Sequence, residues 1–77
     1  MPKLPVIKPK ELIRILEKIG FFEHHRAGSH AQFKHPDGRR TTIPIHSGDV
    51  KKGMLHGILS DINVSAEDFL KLLKKKK

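Results

Sequence analysis

The chain contains no cysteine, no tryptophan and no tyrosine, and only 8 of its 77 residues are acidic. Without cysteine there is neither a disulfide framework nor a thiolate metal site to staple a small fold, so its stability must come from packing apolar faces. Its four aromatics are all phenylalanine, a poor supply of stacking platforms for single-stranded bases. No apolar run is long enough to span a bilayer, and the opening MPKLPVIKPK has no signal-peptide core, so a cytoplasmic protein with no membrane partner is expected. The length allows one domain, residues 1–77, with a thin core, because so short a chain buries only about 60–65% of the surface its unfolded form exposes.

The shortage of acid is matched by 16 lysines and arginines, giving a net charge of +8 before any histidine is protonated. Discounting the terminal run Lys74–Lys77 still leaves +4. A surface of this kind repels itself and attracts polyanions, nucleic acid first among them. A membrane-surface role fits less well, since no helix combines a basic face with exposed aromatics.

Periodicity supplies the elements. PKELIRILEKI, Pro9 to Ile19, places apolar residues at 12, 13, 15, 16 and 19, one helical stripe with Pro9 near its start and Gly20 at its end. Phe21 to Arg26 reads as a first strand, Ala27-Gly28-Ser29 as a turn, His30 to His35 as a second strand, Pro36-Asp37-Gly38 as another turn and Arg40 to Ile45 as a third strand. Pro44 has no N–H to donate, so the third strand should have an unpaired side there. Lys51 to Ile62 carries a stripe of Met54, Leu55, Ile58, Leu59 and Ile62, with Asp49 as its expected cap. A last helix begins at Ser65, with Asp68 completing a capping box. The order is helix, three antiparallel strands, helix, short helix: an α+β fold.

Strand alternation then singles out one histidine. Ala31 and Phe33 share one face of the second strand, while His30, Gln32 and Lys34 share the other. Thr41, Ile43 and Ile45 form the apolar side of the third strand. Helices should cover that greasy face, which leaves His30 on the open one, an unusual place for a structural histidine. The adjacent Gly28-Ser29 pair lets backbone amides approach a phosphate closely. An imidazole can take or give a proton near neutral pH, worth about 10²–10⁴-fold in rate, and cationic side chains stabilise charge on a phosphate. RNA cleavage by attack of its own 2′-hydroxyl needs no more than these groups.

The remaining candidates are cations. Lys34 lies two pleats from His30 on the same face. Lys51 and Lys52 oppose the dipole at a helix N-terminus, at a cost of about 0.3–1 kcal/mol each, which phosphate binding would explain. Arg39 and Arg40, in the turn before the third strand, are placed to do likewise. His46 lies where the third strand meets the second helix, better suited to a structural hydrogen bond than to catalysis. His24, His25, His35 and His56 read as surface or partly packed residues. The histidines show no paired ligand spacing and the carboxylates do not cluster, so no metal is expected. On the residues alone, cutting RNA, binding it without cutting, and merely meeting an acidic partner all remain open.

The segment GSHAQFKHPDGRRTTIPIHSGDVKKGMLHGIL, Gly28 to Leu59, resembles the HicA (YcfA-like) family of messenger-RNA-cleaving toxins of toxin–antitoxin pairs. It carries Gly-Ser-His, His-Pro-Asp-Gly, Pro-x-His, and Lys-Lys-Gly before an Ile-Leu helix. The likeness reaches back through Ile19-Gly20-Phe21 and forward through Phe69. It departs at His24-His25-Arg26, where an apolar residue, arginine and a polar residue are usual, and in a last helix and lysine tail that shorter members lack. The resemblance implies a fold like the double-stranded-RNA-binding domain, with the helices on one face of the sheet. It also implies an endoribonuclease that needs neither metal, cofactor nor ribosome, and a HicB-type antitoxin partner that covers the active face. The family's catalytic histidine corresponds to His30, and its Pro-x-His histidine to His46. Gly28, Ser29, Lys34, Arg40, Lys51 and Lys52 are then the expected RNA contacts. A non-catalytic RNA-binding module of the same fold is the alternative.

Overall fold

The computed structural model describes residues 4–45 and 48–74, so His46 lies outside the described residues. In chain order the elements are α1 Pro9–Lys18, β1 Phe22–Ala27, β2 His30–Lys34, β3 Arg40–Pro44, α2 Lys52–Ile62 and α3 Ala66–Lys74. The strands form an antiparallel sheet in the order β1-β2-β3. The expected α+β order is observed, and Pro44 lies in an edge strand, where its missing N–H costs no ladder bond.

The core follows from the alternation. Ala31, Phe33 and Ile43 are fully buried, and Thr41 is nearly so. Leu12, Ile15 and Leu16 of α1, Leu55, Ile58, Leu59 and Ile62 of α2, and Phe69 of α3 complete the same cluster. Both α1 and α2 pack against β3. Burial of a side chain such as Phe33 contributes about 1.5–3 kcal/mol. All six residues of β1 are exposed, so the helices cover β2 and β3 and leave β1 projecting beyond them. There, Glu23 and Arg26 occupy the side of the sheet that β2 buries, and pair at 2.8 and 2.9 Å.

One local reading changes. Asp49 does not cap α2. Its N-cap is Lys51, extended and without a side-chain cap bond, because Val50 is held one residue earlier by an isolated antiparallel bridge to Ile7, with its N–H 2.7 Å from the Ile7 carbonyl. Asp49 instead pairs with Lys8 Nζ at 3.3 Å. The same bridge brings Leu4 and Ile7 into the core, from a proline-punctuated segment with no period to announce it. Ser65, by contrast, does cap α3: its Oγ accepts the Asp68 N–H at 3.1 Å.

The turn between β2 and β3 is clamped to the helices. His35 Nε2 lies 2.9 Å from the Ile19 carbonyl, and its Nδ1 accepts the Asp37 N–H at 3.1 Å, a pair of contacts that the Nε2–H tautomer satisfies. The ring meets Phe21 edge-on at 4.9 Å. Arg39 donates Nε–H to Asp37 Oδ2 at 2.8 Å and Nη1–H to the Ile62 carbonyl, and its guanidinium lies 5.1 Å from the Phe21 ring centre. It thereby satisfies an orphan carbonyl at the negative end of α2.

Gly20 allows this closure. Its φ is +104°, and a Cβ there would sit 2.7 Å from His35 Nε2. Gly28, at φ +59°, has open space around it. Gly20→Ala should therefore cost more stability than Gly28→Ala. Backbone strain alone is about 1–3 kcal/mol at either position, with displacement of His35 added only at Gly20. Urea denaturation midpoints of the two variants check this order.

Candidate functional site

Ala27 pairs with His30 across a two-residue loop. Of its two central residues only Gly28 has positive φ, the pattern of a type II′ hairpin, which demands glycine first. The turn fixes the register, and with it the occupants of the open face. One row across the sheet is Ala27, His30 and Pro44, the next is His25, Gln32 and Thr42, and the third is Phe22, Lys34 and Arg40. Gly28, Ser29 and His30 are all exposed. Among the described residues, none forms a hydrogen bond or ion pair with the His30 side chain.

His25 shares this face with Ala27 by alternation, and a bulge follows it on the side away from the turn. The register shifts between Glu23 and His25. Without the bulge, the register set by the turn would put Glu23 opposite Lys34 on the open side. His24 itself lines a groove of about 240 Å³ with Gln32, Lys34, Arg40, Thr42 and Asp61. Both histidines are exposed, as expected of surface or partly packed residues, and neither glycine nor proline marks the bulge.

His30 lines a second groove, of about 340 Å³, with Thr42, Pro44, Met54, Gly57 and Asp61. Residues 54, 57 and 61 are successive turns of one stripe of α2, which lies alongside the β3 edge. Met54 is 49% exposed, and with Pro44 it offers an apolar wall beside the imidazole. Asp61 borders both grooves, with Oδ2 accepting the Thr41 hydroxyl at 3.0 Å. No local pattern places this aspartate in the same groove as His30, because the placement depends on how α2 packs.

The expected cations divide. Lys34 and Arg40 face each other across β2 and β3, a like-charge pair that costs the sheet roughly 0.2–1 kcal/mol and favours an anion between them. At about 3.3 Å per residue they lie on the order of 13 Å from His30 along the strand, so they reach a different phosphate from the one beside the imidazole. Lys51 and Lys52 are exposed at the start of α2, with no acidic residue in its first turn. They stand one turn before Met54 and do not line the His30 groove. Arg39, grouped with Arg40 by sequence, is committed to the clamp.

Among ionisable groups, Asp37 is held below its ordinary value chiefly by the Arg39 backbone N–H, 3.0 Å from Oδ1, and then by the guanidinium. Burial opposes this shift, more strongly than the guanidinium supports it through its hydrogen bond. The Arg26 guanidinium does the same for Glu23. Both shifts belong to the scaffold. Among the described residues no three histidine, aspartate or glutamate side chains converge as metal ligands, and no helix is long and apolar enough to cross a membrane.

A family model described as the HicA toxin of bacterial toxin–antitoxin systems matches residues 9–64. The match runs from the first residue of α1 to just beyond α2, and stops short of α3. No curated protein sequence matches the chain.

The two neighbouring arginines should separate experimentally. Arg39→Gln should lower stability by about 1.5–3 kcal/mol, through loss of charged hydrogen bonds. Arg40→Gln should change it by no more than about 0.5 kcal/mol, toward greater stability because a like-charge contact is removed. Thermal or urea unfolding of both variants measures the difference.

Proposed function

Since the chain belongs to the HicA toxin family of bacterial toxin–antitoxin systems, we propose that it acts as an endoribonuclease on messenger RNA, with His30 transferring a proton at the scissile phosphate. The observation that carries this reading is a solvent-facing imidazole beside the glycine-first turn, on a sheet face whose far end bears Lys34 and Arg40. An RNA strand laid along β2 meets the Gly28-Ser29 amides and His30 at one end and the two cations at the other. Lys51 and Lys52 extend the positive surface from the α2 side. The ribose 2′-hydroxyl serves as nucleophile, so the reaction calls for neither metal nor ribosome, and its place is the cytoplasm, where the substrate is.

The partner that silences such a toxin is read as a HicB-type antitoxin, with an acidic surface that meets the basic face and excludes RNA. His46 is a supporting residue in this reading.

The test uses purified protein, a defined transcript and a chelator. Wild type should shorten the RNA and leave 2′,3′-cyclic phosphate and 5′-hydroxyl ends. His30→Ala should lose at least about 10²-fold in cleavage while keeping its fold and most of its RNA affinity. Lys34→Gln and Arg40→Gln should each lower the slope of log affinity against log salt by about 1. A wild type that binds RNA with a steep salt dependence and never shortens it would make the protein a binding module instead.

A further inference from the structure

A single imidazole leaves half of the proton bookkeeping undone. Transesterification of RNA removes a proton from the 2′-hydroxyl and delivers one to the departing 5′-oxygen, and one group rarely does both in a single step. Among the described residues, the groove that holds His30 contains one other proton-transfer group, the carboxylate of Asp61. A carboxylate on a surface that otherwise attracts phosphate is costly for RNA binding, which calls for a reason. It is also held in place, since the Thr41 hydroxyl, on a side chain only 5% exposed, binds Oδ2. Among the described residues, no hydrogen bond reaches Oδ1.

Resting on the ribonuclease reading, we infer that Asp61 is the general base and His30 the general acid of the cleavage step. The roles follow from the chemistry of the two groups. Carboxylates near neutral pH are ionised and can only accept a proton, whereas an imidazole is the side chain that can arrive there protonated. Asp61 takes the 2′-hydroxyl proton and the 2′-oxygen attacks phosphorus, forming the P–O2′ bond. The P–O5′ bond breaks with its electron pair on the 5′-oxygen, which takes the proton from His30. The products are a 2′,3′-cyclic phosphate and a 5′-hydroxyl. Exchange with water returns both side chains to their starting states, so atoms and charge balance without a further reagent.

The decisive variant is Asp61→Asn. Its amide oxygen still accepts from Thr41, so the unfolding midpoint should stay at the wild-type value. RNA affinity should hold or tighten, because a negative charge has left the surface. Cleavage should fall by at least about 10²-fold. Asp61→Ala should behave alike and recover part of its rate on addition of formate, a result that a structural role would not give. An Asp61→Asn protein that cuts at the wild-type rate while His30→Ala is dead would overturn this assignment alone. Loss of cleavage together with the fold, and no formate rescue in Asp61→Ala, would make Asp61 structural and overturn it equally. A wild type with no cleavage would overturn this inference and the ribonuclease reading together.

Discussion

Burial of Ala31 and Phe33 against α1 and α2 decides where His30 points. A strand has a period of two, so once those side chains enter the core, His30, Gln32 and Lys34 must face out. A slip of one residue would bury the imidazole and expose the phenylalanine. The type II′ turn at Gly28-Ser29 and the pairing of Phe33 with Thr41 hold that register from both sides. The functional face is therefore the complement of the core. It needs no contact of its own to be oriented, and its side chains remain free for a ligand.

The charged residues near this sheet divide between scaffold and surface by whether a backbone carbonyl or an opposite charge lies within reach. Arg39 and His35 reach the carbonyls of Ile62 and Ile19, tying the β2–β3 turn to the ends of α2 and α1. Among the described residues neither Lys34 nor Arg40 forms an ion pair, and they face each other across the strands, an arrangement that weakens the sheet slightly and suits an anionic partner. Asp61 belongs to neither group. It is fixed by a nearly buried threonine, yet it borders both grooves.

The parts of this arrangement visible in the sequence are those written in local period and turn chemistry. The apolar stripes of α1 and α2, the alternation through β2, Gly28 in the first turn and Ser65 before α3 each state their role within a few residues. What was hidden depends on contacts distant along the chain. Leu4 and Ile7 enter the core through a bridge to Val50, more than forty residues away. That bridge also moves the α2 cap from Asp49 to Lys51. The bulge at His24 follows from pairing with β2 and has no signature of its own. Asp61 looks like an isolated surface acid until α2 is laid along the β3 edge. The loss of Arg39 from the expected phosphate contacts has the same origin, since the Ile62 carbonyl is known only from the packed structure.

The central claim is that RNA lies over the outward face of β2, against the His30 imidazole. Carbethoxylation of the six histidines by diethyl pyrocarbonate, mapped by mass spectrometry with and without a saturating, uncleavable 2′-deoxy-substituted strand, tests it most directly. The account expects His30 to react readily in the free protein and to be shielded by the bound strand, while His35, held between Ile19 and Asp37, reacts slowly in both. A His30 that reacts equally fast with and without the strand would contradict it.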